Sequence, residues 1–179
     1  VLGNAEETEI YKLELLMKQA GITTDYRKVT VAAKEKAAKT GVISAAIELQ
    51  DGTIITSKTS SLLGTSAALI LNAVKYLAGI PHEEKLIPSS TIEPIQDMKV
   101  TYLKGNNPRL HTDEILITLA MLSLNDENCK KAIEQLPRLN GCQVHTTVML
   151  SEVDKKIFKK LGVDVTMEPV LKNSKPFMK

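Results

Sequence analysis

The 179-residue sequence predicts a single α/β domain with a mixed sheet, and three observations carry that prediction. Residues 43 to 56 alternate apolar and polar positions around Asp51-Gly52, which reads as an antiparallel hairpin. Residues 142 to 170 read as strand, helix and strand with short joints, a βαβ unit whose strands run parallel through a right-handed crossover. Elsewhere the apolar residues recur with the helical period. A hairpin joined to a parallel pair, with helices on the sheet faces, follows.

In chain order, "EETEIYKLELLMKQ" (6 to 19) sets Ile10, Leu13, Leu16 and Met17 at helical spacing, with Gly21 as the stop. A second helix is expected from Asp25 to Lys39, ended by Gly41. Its apolar set, Val29, Val31, Ala32, Ala37 and Ala38, is thin, which predicts a helix lying at the surface. Residues 1 to 40 thus form a helical lead-in, and 41 to 179 the sheet-containing body. In the hairpin Ile43, Ala45, Ile47 and Leu49 alternate before the turn, and Ile54 and Thr56 after it.

A core helix falls within 61 to 79, followed by a loop through Pro81 and a helical "SSTIEPIQDMKVTYLKG". The next helices are 112 to 124 and "DENCKKAIEQL", which starts at an Asp126 cap and stops before Pro137. "CQVHTTVML" is a strand and "SEVDKKIFKKLG" a helix with Ser151 and Asp154 placed like a capping box. "VDVTMEPV" closes the sheet.

Composition narrows the function classes. With 43% hydrophobic residues the chain can fill one core, and 3% aromatics leave few rings to stack on bases. A net charge of +2, from 23 basic and 21 acidic residues spread along the chain, gives no concentrated field for a phosphate backbone, so nucleic acid is not expected as a partner. Two isolated cysteines and the lack of a secretory segment point to the cytoplasm. The longest apolar stretch is interrupted by Gly64, Thr65, Asn72 and Lys75, short of the roughly 20 residues of a membrane span. A start at Val1, without an initiator Met and leading directly into a helix, suggests a fragment of a longer protein.

"GTIITSKT" (52 to 59) differs from the phosphate-loop pattern only by Ser57 in place of the second glycine. That match fails physically, because the hairpin ladder uses the N–H groups that a phosphate would need. What remains is Lys58, Thr59, Ser60 and Ser61, between a strand end and a long helix, with Thr65 and Ser66 extending the polar edge. A helix start of this kind can receive an anion. The plain alternative is that Ser60 or Ser61 caps the helix and Lys58 is solvated.

"NPRLHTDEILI" raises the same choice: Thr112 serves as an N-cap, with Asp113 and Glu114 in the first turn. Arg109 and His111 lie outside the helix and need another account. As catalytic candidates, Arg109, His111 and Asp113 require a partner from elsewhere, and His145 on "CQVHTTVML" is the candidate. His145 shares its strand face with Gln143, Thr147 and Met149, and a hydrogen-bonded core histidine is the competing reading. Cys142 is a candidate nucleophile or, more simply, a small buried apolar group. His82 and Glu84 supply half of a zinc-deaminase signature, but Cys129 and Cys142 are too far apart for the other half, so no metal site is expected. No cofactor can be named from these residues.

The segments "YKLELLMKQAGI", "TSSLLGTSAALILNA", "IEPIQ", "NPRLHTDEILI" and "GCQVHTTVMLSEVDKKIFKKLGVDVT" together resemble the C-terminal domain of a bacterial family described as domain of unknown function 1846. The resemblance covers nearly the whole chain and keeps its order. It implies a three-layer αβα sandwich similar to the cytidine-deaminase-like topology but without zinc. It also implies a longer cytosolic protein, whose N-terminal region carries a glycine-rich, phosphate-loop-like segment and binds a nucleotide or phosphorylated ligand. In relatives the position of Ser57 is often glycine, a departure that weakens the 58-to-61 edge as a phosphate cradle.

The leading expectation is therefore a domain of a nucleotide- or phosphate-dependent enzyme, adding polar residues to a site shared with its N-terminal region. Arg109 would clamp an anion, His111 or His145 would move a proton, and Lys58, Thr59, Ser60, Thr65 and Ser66 would hold phosphate or carboxylate. This requires Lys58, Arg109, His111 and His145 to meet at one rim of the sheet. The rival is a non-catalytic domain that packs on its own N-terminal region or on a second copy.

Overall fold

The computed structural model describes residues 7–168. In order these form α1 (Glu7–Gln19), α2 (Lys28–Thr40), β1 (Ser44–Glu48), β2 (Ile54–Lys58), α3 (Thr65–Leu77), α4 (Ser89–Asp97), α5 (Thr112–Leu122), α6 (Glu127–Ile133), β3 (Gln143–Thr146), α7 (Glu152–Lys160) and β4 (Asp164–Met167). The fold is α/β with a mixed four-stranded sheet of order β2-β1-β3-β4. Strand β1 runs antiparallel to both β2 and β3, and β3 runs parallel to β4. Consequently β2, β3 and β4 point the same way, and their carboxyl ends form one rim with the start of β1.

The hairpin register runs from Ser44↔Lys58 to Glu48↔Ile54. Its connection is closed by Leu49 N–H donating to Thr53 O at 2.9 Å, and Gly52 alone adopts positive φ, +83°. Asp51 instead accepts the Thr53 N–H, so the pair forms a three-residue loop rather than a two-residue turn.

Residues directly opposite each other across strands point to the same side of a sheet. Ala45, Ile47 and Val144 face the main core, which they share with Leu69 and Ile70 of α3, Leu119 of α5 and Phe158 of α7. Ala46 faces the other way, against Val29 and Ala33 of α2. Helix α2 is therefore no peripheral surface helix. It covers the second face with Val29, Thr30 and Ala33 buried, because small side chains let its backbone lie close to the strands. Gly41, at φ +70°, ends it in the left-handed conformation that costs glycine least.

Several boundaries move from the sequence expectation. The core helix begins only at Thr65, capped by Gly64 without a side-chain bond, so neither Ser60 nor Ser61 caps it. The preceding residues run extended, and Leu63 bridges Leu110 in parallel. The 89-to-105 segment divides into α4 and a wider π turn, Met98–Tyr102. Helix α6 ends at Ile133 and is followed by a 3-10 turn, Leu136–Leu139. Strand β3 stops at Thr146, where Thr147 N–H still reaches Ser44 O. The last strand ends at Met167, and positions 169 and 170 of the expected strand lie outside the described residues. No described helix is long and apolar enough to cross a membrane.

Candidate functional site

Helices that follow parallel strands begin at the strands' carboxyl ends, which is where ligands bind in open α/β sheets. Here β2 leads to α3 and β3 leads to α7. The Leu63–Leu110 bridge brings the start of α5 to the same place. Three helix N-termini, each with N–H groups that no intrahelical carbonyl accepts, thus gather at this rim.

Two of the three are closed by side chains of the chain itself, α5 by carboxylates and α7 by the Ser151 hydroxyl. Asp154, buried in the first turn of α7, accepts from the Thr112 N–H at 3.1 Å and the Thr112 hydroxyl at 2.9 Å through Oδ1. Its Oδ2 accepts from the Ser151 hydroxyl at 2.9 Å, and Ser151 Oγ in turn accepts the Asp154 N–H. The expected Ser151–Asp154 cap is present. The N-cap of α5 is His111, however, and not Thr112, because Thr112 already has helical geometry and is held by Asp154. Glu114 completes the start of α5 by accepting the His111 N–H at 2.7 Å. Lys99 secures that carboxylate at 2.7 Å and also donates to Arg109 O.

His111 stands between two partners. Its Nδ1 lies 3.5 Å from Asp154 Oδ2, and its Nε2 lies 3.1 Å from Asn107 Nδ2. Asn107 Oδ1 accepts the Arg109 N–H, which orients the amide so that its NH2 faces the imidazole. Nε2 is then an acceptor and Nδ1 carries the proton directed at Asp154. The pair has the layout of a base and its orienting carboxylate, with Asn107 occupying the working nitrogen.

The start of α3 differs. Gly64 offers no side-chain cap, and the helix leaves the N–H groups of Thr65, Ser66 and Ala67 without intrahelical acceptors. Thr65 is buried and bonded through its hydroxyl and carbonyl to Ser57 Oγ, 3.1 and 2.8 Å away. Ser66 Oγ is buried with no hydrogen-bond partner among the described residues. Arg109 is exposed and donates from Nε to Ser60 O at 2.7 Å, leaving its terminal guanidinium nitrogens without partners among the described residues. Ser60 Oγ accepts from the N–H groups of Leu62 and Leu63, so it closes a turn. Thr59 N–H donates to Ile43 O.

Arg109 and His111 therefore stand together at the rim, beside Ser60, Thr65 and Ser66. Lys58 shares the rim but pairs with Ser44, and so starts from the face that α2 covers. His145 is separated from them. It pairs with Ala46 and with Thr166 on the α2 face, whereas α7 and the start of α5 lie on the other. The expected meeting of all four groups does not form, because one position along a strand reverses the side-chain direction.

His145 is 4% exposed, with Nδ1 2.9 Å from Thr166 Oγ1 and Nε2 3.1 Å from Glu168 Oε1. Burial pushes its pKa down, opposed by Glu168 and reinforced by Lys34 and Arg27. Lys34 bridges Glu168 to Asp25. Arg27 donates to Gln143 Oε1, Thr166 Oγ1 and Asp164 O, which ties α2 across β3 and β4. His145 belongs to this interlayer network.

Other candidates resolve simply. Cys142 is buried, its thiol pushed up by burial and directed at Arg138 O, the opposite of an activated nucleophile. Asp113 accepts the Glu114 N–H at 2.9 Å and has no bond to His111. No group of three or more metal-ligating side chains is assembled among the described residues. Asp154, Asn107 and Lys99 were not legible as site residues, since their partners lie up to 43 positions away. The Ser151–Asp154 box was the available signal, and it pointed only to a local cap.

The chain is similar in sequence to known proteins. A profile described as "Domain of unknown function DUF1846, C-terminal" matches residues 25–177. A UPF0371 protein of Streptococcus uberis is 45% identical over 97% of this chain and 35% of its own length. UPF0371 proteins of Corynebacterium aurimucosum and Corynebacterium urealyticum are each 48% identical, over 92% and 93% of this chain and 33% of their own lengths. The chain spans about a third of the length of the curated relatives it matches. With a profile match over most of its length and relatives at this identity, the chain belongs to the bacterial family whose C-terminal domain carries the DUF1846 description.

Proposed function

We propose that this domain binds the phosphate or carboxylate group of a nucleotide or phosphorylated small molecule at the carboxyl rim of its sheet. It would form one wall of a site completed by the additional region that the longer relatives contain. The observation that carries this reading is the start of α3. It has no side-chain cap, it holds a buried Ser66 hydroxyl with no partner among the described residues, and the open guanidinium of Arg109 reaches the adjoining Ser60 turn. Asp154 and Glu114 already supply negative charge to α5 and α7, so α3 is the helix start left for an external anion. Lys58, which reaches the rim from the α2 face, and the neutral Thr59 would extend the polar edge. If the complete protein is an enzyme, His111 oriented by Asp154 handles the proton once a ligand displaces Asn107, with Asp113 at the helix start beside it. We read the fold as the three-layer αβα sandwich of cytidine-deaminase-like topology, supported by α2 on one sheet face and α3 on the other. We place the protein in the cytosol, supported by two free buried thiols.

Thermal-shift and calorimetric titration with inorganic phosphate, nucleotides and sugar phosphates tests the reading. A ligand at 100 times its Kd adds about 2.7 kcal/mol of stability. Arg109→Ala and Ser66→Ala are expected to weaken that response while the fold is retained. A complete protein, with the additional region of the longer relatives included, that shows no saturable response to any of these anions overturns it.

A second reading, a non-catalytic assembly domain, is favoured by one observation. Helix α1 leaves Tyr11, Leu13, Leu15 and Leu16 exposed, with relative accessibilities of 45–67%. A silent ligand screen together with self-association that Leu16→Asp abolishes in sedimentation would select this reading.

A further inference from the structure

One flank of α3 borders a cavity of about 280 Å3 that runs from Ser60 at the rim to Lys75 in the last turn of the helix. Ala68, Leu71, Asn72 and Lys75 recur at helical spacing along it, facing Leu62 and Leu63 at one end and Leu86, Ile87 and Ile92 across it. The volume sits at the lower end of ligand pockets, roughly 300–1,000 Å3. Its walls are largely aliphatic.

Exposed Ser60, His82, Glu83, Glu84 and Lys85 complete the lining, and Lys75, only 8% exposed, is the one charged side chain buried in it. Its Nζ donates to the main-chain carbonyls of His82, at 2.5 Å, and Glu84, at 2.7 Å. An ammonium carries three N–H groups, and the third has no partner among the described residues. No carboxylate among the described residues forms an ion pair with it, although Glu83 and Glu84 border the same cavity. The Glu84 side chain turns away to accept from Asn128 Nδ2 at 2.8 Å, and exposed Glu83 forms no ion pair with Lys75. Two carbonyls could be tied by a neutral amide donor, so an unpaired cation in an apolar wall asks for a different explanation. Buried charge is costly unless it is paired. Desolvation lowers the Lys75 pKa, opposed by Glu83 and Glu84, as expected for a cation short of a close counter-charge.

We infer that this cavity is a binding site for a small carboxylic acid with an aliphatic body, its carboxylate on Lys75 and its tail lying along Leu71 and Ala68 toward Leu62 and Leu63. A carboxylate fits better than a phosphate. A phosphate presents three strongly accepting oxygens, whereas the buried part of the lining offers two donors, the third N–H of Lys75 and the second N–H of the Asn72 amide, whose first is held by Thr56 O. The cavity meets the rim at Ser60, but Lys75 lies in the last turn of α3, so the carboxylate position does not depend on the proposed anion site at the start of that helix.

Ligand-observed NMR and calorimetry with hexanoate and 1-hexanol decide the matter. Hexanoate is expected to bind saturably and about tenfold more tightly than the alcohol, the scale of a hydrogen bond to a charged group. Lys75→Met should erase that preference. Ala68→Leu, which fills the cavity and leaves the Lys75 contacts in place, should abolish both ligands, and it serves alone should Lys75→Met fail to fold. Equal affinities for the two ligands, no saturation below about 10 mM, or unchanged hexanoate binding in Ala68→Leu overturns the inference. The phosphate response at the rim is expected to survive Ala68→Leu, so the two readings fail separately.

Discussion

Asp154 and His145 show how a residue's role is set by what it meets. Asp154 gathers Thr112, Ser151 and His111 around one buried carboxylate, joining the starts of two helices distant in sequence. His145 has both ring nitrogens engaged by β4 and the residue after it, and it is pushed toward its neutral form by burial. That depression fixes the sign of a pH effect. Between the ordinary value of 6.5 and the lower folded value, the unfolded chain holds a proton that the folded chain does not. Stability from this group is therefore full above that ordinary value and declines as pH falls through the window. Urea unfolding from about pH 7.5 to about pH 5 should show the decline, and His145→Gln should flatten it. A variant that keeps the full wild-type slope would assign the effect to another group.

Among elements, α1 and α3 make the instructive contrast. Both carry apolar residues at helical spacing, yet α3 is sunk in the core and the described side chains of α1 are almost all exposed. Leu69→Ala, at a fully buried position, is expected to cost about 2–5 kcal/mol in chemical denaturation. Leu16→Ala in α1 should change stability by less than about 0.5 kcal/mol. A large loss at Leu16 would show that α1 packs in solution. Helix α2 carries the converse lesson. A thin apolar face suggested a peripheral helix, but burial depends on how closely two backbones approach, and Val29 and Ala33 suffice against Ala46.

At the scale of the molecule, the sheet separates two polar assemblies. The rim assembly lies at the helix starts on the α3 side, and the His145 network lies under α2. Arg27 is the strut of the second, reaching Gln143, Thr166 and Asp164 from the start of α2. Arg27→Ala is expected to raise amide hydrogen exchange selectively in β4, while the β1–β2 pair keeps its protection. Uniform loss of protection across the sheet would instead make Arg27 a determinant of global stability.

The sequence by itself determined the α/β class, the hairpin, the parallel β3–β4 pair and the caps at Asp126 and Ser151. These follow from periodicity and from hydrogen bonds that span a few residues. The tertiary structure alone decided that His111 has Asp154 as its neighbour, that His145 faces α2, and that Lys75 is buried in a cavity wall with no ion pair among the described residues. Each of those facts depends on which strand or helix a side chain meets across the fold. Local spacing fixes the direction in which a side chain points, and only packing fixes what it points at.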